Sequence, residues 1–237
     1  MSTRTSVIVG ANRGIGLELA RGLVARGDRV IATARDVGAA TALAEVGTSA
    51  VLALDIADDA SIAAFAGALG ELTDHVDLLV NNAGLNAGSV GHDGPAGVLE
   101  MGRSTLLAVT DVNAVGPMLV TQALEPMLAA AADGAWIVNI SSQLGSMEIG
   151  LKMGRDVAYN VSKAALNMVT VCTARELVDR GIRSVAFHPG WVRTDMGGPS
   201  AALSPEESAA GILAKVDSLS PDDNGGFFRW DGSPHPW

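Results

Sequence analysis

The chain runs to 237 residues, which at roughly 100–200 residues per domain is one domain spanning residues 1–237. A composition of 48% hydrophobic and 18% charged residues excludes a disordered chain. Sixteen basic against 26 acidic side chains give a net charge of −10, which excludes nucleic acid as the natural partner, since a phosphate backbone needs a basic face.

Residues 1–5 are polar and run directly into a short apolar stretch, without the charged, apolar, then small-residue order of a signal peptide. The sequence contains no uninterrupted apolar run of ~18 residues, so no membrane span is expected. Mean hydropathy is +0.29, a value that comes from alanine. The expectation is a soluble, cytoplasmic protein.

Residues 6–9 read as a buried strand and 15–25 as a helix. Between them lies Gly10-Ala11-Asn12-Arg13-Gly14-Ile15-Gly16. Glycines there allow a tight turn and let backbone N–H groups approach a pyrophosphate at a helix N-terminus. The spacing is G-x-x-x-G-x-G, not G-x-G-x-x-G. Alone it suits a simple strand-to-helix turn; its place at the first strand–helix junction favours a dinucleotide cradle.

The second strand, 29–33, leads to Ala34, Arg35 and Asp36, and a helix is predicted over 39–45. An acid about twenty residues past the glycines suits the 2′-hydroxyl of NAD, whereas an arginine suits the 2′-phosphate of NADP. Asp36 meets that count but also stands where a helix N-cap belongs. The strand-tip position for the acid falls on uncharged Ala34. Arg35 then faces the ribose with Arg13 as a second cation, and NADP is expected over NAD.

Further strands are predicted over 50–54, 76–80, 135–140 and 183–187, with helices over 61–72, 105–131 and 157–179. This alternation is that of an α/β protein with a parallel sheet covered on both faces. Loop-like stretches at 85–97 and 191–204 read as the rims of a site.

Several polar groups stand at strand ends or interrupt apolar patterns. Asn81-Asn82-Ala83-Gly84 ends the fourth strand and can press backbone against a flat ligand. Asn113 breaks an apolar helical stretch, as either a buried packing bond or part of a proton path. Asn139-Ile140-Ser141-Ser142 ends the fifth strand, where a hydroxyl can face the crevice. Tyr159 is the single tyrosine and Lys163 one of only three lysines, with Lys152 and Lys215; Tyr159 and Lys163 stand one helical turn apart. A phenol is a poor acid–base group at neutrality unless a cation stabilises its anion, and Lys163 supplies that cation. Pro189-Gly190 follows the sixth strand, with Thr194 beyond it. The single cysteine, Cys172, forms no intramolecular disulfide and reads as core. His75, His92, His188 and His235 are scattered, no metal is expected, and His188 reads as a structural hydrogen-bonder.

Together the 10–16 turn, Asn81–Gly84, Asn113, Ser141-Ser142, Tyr159-x-x-x-Lys163 and Pro189-Gly190 resemble the short-chain dehydrogenase/reductase family over essentially the whole chain. The stretch from His188 to Gly198, with Asn224-Gly225-Gly226-Phe227, is similar to the sniffer-type carbonyl reductases and C-factor-like proteins within it. The resemblance implies a Rossmann-type doubly wound fold with a seven-stranded parallel sheet. It implies an NADPH-dependent enzyme reducing a small-molecule carbonyl, or oxidising the alcohol, in which Tyr159 is the general acid. Lys163 binds the nicotinamide ribose, Ser142 hydrogen-bonds the substrate carbonyl, and Asn113 holds a water in the proton relay. The dinucleotide lies along Gly10, Asn12, Arg13, Gly14, Ile15, Gly16, Arg35, Asn82, Ala83, Gly84, Tyr159, Lys163, Pro189 and Gly190. Asp55 and Ile56 contact the adenine, and Val192 and Thr194 hold the carboxamide. A cofactor-sensing signalling protein on the same fold is the alternative. Val9 stands where the family has threonine, removing one side-chain hydrogen bond between the first turn and the fourth strand end. The stretch from Ser142 to Tyr159 is longer than usual, and Met147, Leu151 and Met153 in it are expected to shape the substrate pocket. Family members commonly pair through their two long helices, which implies a homodimer or homotetramer.

Overall fold

The computed structural model describes residues 3–93, 96–149 and 156–237; Leu151 and Met153 lie outside them. Seven strands form one parallel sheet: β1 (Thr5–Val9), β2 (Arg29–Ala34), β3 (Ala50–Ala53), β4 (Leu78–Asn81), β5 (Ala135–Ile140), β6 (Ile182–His188) and β7 (Phe227–Arg229). Their order is β3-β2-β1-β4-β5-β6-β7, every pairing is parallel, and helices cover both faces. The chain winds outward from β1 in both directions, so the strand order reverses between β1 and β4. The crevice outside the carboxyl ends of those strands is where open α/β sheets bind ligands.

The strands form because they are apolar on both faces. Val7, Val9, Ile31, Leu79 and Ile137 pack on one side with Phe65, Leu124 and Leu128. Ile8, Val30, Val80, Val138 and Phe187 pack on the other with Leu19, Leu23 and Ile212. Each such side chain contributes about 1.5–3 kcal/mol on full burial.

The helices are α1 (Gly14–Ala25), α2 (Thr41–Val46), α3 (Asp59–Gly70), α4 (Arg103–Thr110), α5 (Gly116–Ala129), α6 (Val157–Glu176) and α7 (Pro205–Asp217). The single helix expected over 105–131 is two, joined through a π-helical turn at Asp111–Val115. That turn carries Asn113, and such bulges are frequent at functional sites. By length and composition Arg103–Ala129 is apolar enough to cross a membrane, yet Val120, Leu124 and Leu128 on it are fully buried against the sheet. Helix α7 and strand β7 are additional to the elements expected from the sequence. Helix α7 opens on a capping box between Ser204 and Glu207, with Pro205 in its first turn, and packs along α1.

Two local expectations are corrected. Asp36 does not cap α2: its Oδ1 accepts the Ala39 N–H at 3.2 Å, whereas the residue preceding α2 is Ala40, without a side-chain bond. Cys172 is exposed, beside exposed Met168 and Val171. The inward stripe of α6 is largely polar, running through Ser162, Lys163, Leu166, Asn167 and Thr170, which turns Cys172 to the opposite side.

Candidate active site

The glycine-rich turn leaves β1 through Gly10 at φ +76°, where a Cβ would stand 2.8 Å from that of Ala83. At Gly16 a Cβ would meet the Gly10 carbonyl oxygen at 2.3 Å. Both positions therefore require glycine. Arg13 precedes α1 in extended conformation and no side chain caps the helix, so the first-turn N–H groups are open to an anion. Asn82 and Ala83 donate their N–H groups to the Val9 carbonyl at 3.2 and 2.9 Å. Asn82 Nδ2 donates to the Gly10 carbonyl at 2.7 Å, and the Gly10 N–H donates to Thr33 Oγ1 at 3.1 Å. The turn is thus tied to both neighbouring strands without a hydroxyl at position 9.

Along the far side of the crevice, Arg35 is exposed at the end of β2. Asp55 accepts the Ala57 N–H at 3.1 Å and its own N–H donates to Ser61 at 2.9 Å; buried Ile56 packs against Gly116. Arg13 does not stand free beside Arg35: its guanidinium pairs with Asp195. Pro189 accepts a 2.6 Å bond from Ser208 on α7, Gly190 lies at φ +87°, and buried Val192 bridges to Leu203. Thr194 touches the turn, its methyl 3.1 Å from where a Cβ on Gly14 would stand.

Ser142, Tyr159 and Lys163 converge at the ends of β4 and β5. Lys163 is 3% exposed; its Nζ donates to the Ile140 carbonyl at 2.8 Å and lies 5.6 Å from the centroid of the Tyr159 ring. Desolvation holds its amine down at about 8. Tyr159 is half-buried, and its phenol is pushed up to about 12 by desolvation, with the Ser142 hydrogen bond opposing and the Asp156 carboxylate adding to the rise. Burial thus leaves Tyr159 a neutral phenol able to donate a proton. The adjacent serines face different ways. Ser141 donates to Asn167 Oδ1 at 2.6 Å, whereas Ser142 lies by the Tyr159 phenol, whose pKa it lowers, and accepts the Leu144 N–H at 3.1 Å.

Asn113 is fully buried. Its Nδ2 donates to the Leu85 carbonyl at 2.7 Å and to Ser162 Oγ at 2.9 Å, and its Oδ1 accepts the Leu85 N–H at 2.8 Å. Gly84 closes the cluster: a Cβ there would stand 3.1 Å from Asn113 Oδ1 and 3.5 Å from Lys163 Nζ. Two residues beyond those expected from the sequence, Asp156 and Ser162, hold the cluster. Asp156 accepts the Tyr159 N–H at 2.9 Å and the Ala87 N–H at 3.0 Å; an acid just before an apolar helical run was its signal. Ser162 donates to the Tyr159 carbonyl at 2.7 Å and had no local signal. His188 is buried by stacking on His235, centroids 5.4 Å apart, and its Nδ1 has no hydrogen-bond partner among the described residues. The expected structural hydrogen bond is therefore not made through Nδ1.

Residues 4–203 match the family model of the short chain dehydrogenases. C-signal of Myxococcus xanthus is 38% identical over 165 residues, covering 70% of this chain and 95% of that protein. The NADPH-bound carbonyl reductase from chicken fatty liver superposes with a TM-score of 0.91 at 34% identity, both chains fully covered. The carbonyl reductase Sniffer of D. melanogaster does so at 0.90 and 30%, again over both whole chains.

Proposed function

This chain belongs to the short-chain dehydrogenase family, and on that premise we propose that it is an NADPH-dependent carbonyl reductase of the cytoplasm. The observation that carries the reading is the convergence of Ser142, Tyr159 and Lys163 beside an uncapped helix N-terminus framed by glycines. The residues present fit a dinucleotide phosphate. The Gly10–Gly16 turn, including Asn12 and Ile15, offers N–H groups to the pyrophosphate, Asp55 and Ile56 line the adenine side, and Arg35 at the tip of β2 meets a 2′-phosphate. Pro189, Gly190, Val192 and Thr194 border the nicotinamide end. When bound, the dinucleotide supplies the hydride.

The chain's own residues manage the oxygen. Ser142 donates a hydrogen bond to the substrate carbonyl, and the neutral Tyr159 phenol gives its proton to that oxygen as charge develops. Asp156 and Ser162 fix the first turn of α6 and so aim the phenol. Lys163, anchored on Ile140, bonds the nicotinamide ribose and reprotonates the tyrosine. Asn113 pins Leu85 to α6, and a relay water would use the remaining lone pair of its Oδ1. Exposed Leu99, Met147 and Trp191 form an apolar rim on the loops after β4, β5 and β6, suited to a substrate with an apolar arm. Exposed Leu107, Val161, Met168 and Val171 on α4 and α6 suit self-association as a homodimer or homotetramer; a sedimentation run with only a 24.1 kDa species at micromolar concentration would refute that.

Incubating the purified protein with NADPH and a panel of aldehydes and ketones tests the reading through loss of NADPH. The likeness to C-signal supports a second reading, a cofactor-binding regulatory protein with little turnover. NADPH binding without consumption across the panel would favour it.

A further inference from the structure

The two cations expected to meet a 2′-phosphate differ in their surroundings. Arg35 is exposed and pairs with no acid among the described residues, whereas Arg13 carries an ion pair with Asp195. Asp195 belongs to the loop after β6, far from Arg13 in sequence, and the loop holds it in place. Thr194 Oγ1 accepts the Gly197 N–H at 3.2 Å, and its carbonyl accepts the Gly198 N–H at 2.8 Å. Behind that turn, Arg193 and Leu203 are joined by a 2.9 Å backbone bond. The contact of Thr194 with Gly14 sets the same loop directly over the glycine-rich turn. The Arg13–Asp195 pair therefore bridges the two walls of the cofactor crevice.

Resting on the dinucleotide reading above, we propose that Asp195 is a specificity-determining residue that attenuates the preference for NADPH by holding Arg13. A carboxylate and a phosphate dianion compete for the same fork of guanidinium donors. Any 2′-phosphate that recruits Arg13 must first displace Asp195, while NADH, lacking that phosphate, loses nothing by leaving the pair intact. The pair is exposed, at 69% for Arg13 and 75% for Asp195, so solvent limits its worth to at most about fivefold in an equilibrium. The same exposure means that neither substitution disturbs the core.

The test is a fluorescence titration of NADPH and NADH with wild type, Asp195→Asn, Arg13→Gln and the double variant. Asp195→Asn is expected to tighten NADPH about two- to fivefold with NADH unchanged, raising the ratio of the two dissociation constants by that factor. In the Arg13→Gln background the Asp195 substitution is expected to leave the ratio unaltered, because the partner it released is gone. An unchanged ratio in the single variant overturns the proposal. So does equal tightening of both cofactors, which is general repulsion, and so does loosening of both, which makes the pair a brace. Failure of the wild type to bind either dinucleotide would overturn the reductase reading itself, and is distinguished by that.

Discussion

Lys163 donates to the backbone carbonyl of Ile140 at 2.8 Å, so the buried amine is anchored at the end of β5 while its positive charge stays 5.6 Å from the tyrosine ring centroid. The strand end thus fixes where the charge sits, and burial fixes when it is lost. An ammonium is less stable than an amine in such surroundings, and the Lys163 value falls to about 8, whereas the phenol rises to about 12.

The pH dependence of reduction follows from these two values. Below about pH 8 Lys163 is charged and Tyr159 protonated, the combination the proposed chemistry needs. As pH rises through about 8 the amine loses its proton, so kcat/KM is expected to fall with one deprotonation there. The phenol does not titrate until far higher pH. Lys163→Arg keeps its charge throughout, so its residual activity should lack that alkaline limb. An identical limb in the arginine variant assigns it to another group.

Ser141 and Ser142 are adjacent, and the contrast between them is a second test. Ser142→Ala removes the hydroxyl beside the phenol and should lower turnover by about 10²–10³-fold, the typical loss of one carbonyl-polarising donor. Ser141→Ala leaves buried Asn167 without its 2.6 Å donor and should lower stability by about 1–3 kcal/mol, with turnover near that of the wild type. Denaturant melts and steady-state rates on the two variants decide it; exchange of the two effects would reverse the assignment.

The legibility of the fold followed from burial. Strands β1 to β6 are apolar on both faces and could be read as short continuous runs. Phe227–Arg229 is too brief to show a period, and the capping box of α7 stands before an alanine-rich stripe that blurs the helical pattern. At the site, Tyr159 and Lys163 stood out because both residue types are rare in this chain and one helical turn brings them to the same face. The partners of Asn113 could not be read, because Leu85 and Ser162 come from distant segments. Cys172 lies outside the core that its apolar neighbours suggest, because the inward face of α6 is polar through Asn167 and Thr170.

His188 makes stability depend on acid. Burial, the stacked His235 and Arg229 together hold its imidazole down at about 3, against a small opposing effect of Asp231. From pH 6.5 down to about 3 the unfolded chain takes up a proton that the folded chain refuses, so stability is lost as pH falls through that window. One group contributes a slope of at most about 1.4 kcal/mol per pH unit. His235 is also lowered and adds in the same direction. Urea melts from pH 7 to 4 should therefore show a shallower decline for His188→Gln than for the wild type. Parallel curves would mean that His188 is not the titrating group.

The proposed chemistry depends on one phenol. Hydride addition to a carbonyl leaves negative charge on oxygen, and a positioned proton donor lowers that barrier only if it is protonated before the step. Burial ensures this for Tyr159, and as the only tyrosine in the chain it has no neighbour of its kind to replace it. Tyr159→Phe keeps the ring and removes the proton, so turnover should fall about 10²–10⁴-fold. NADPH affinity should survive, because the turn at Gly10 and Gly16 and the guanidinium of Arg35 lie elsewhere in the crevice. Lys163→Ala, by contrast, should lower turnover and loosen NADPH together, since the amine is assigned to both. Single-turnover NADPH oxidation with a reactive dicarbonyl, paired with fluorescence titration of each variant, separates the two effects. A phenylalanine variant that reacts at the wild-type rate would remove Tyr159 from the mechanism, and one that fails to bind NADPH would make it a structural residue of the cofactor crevice.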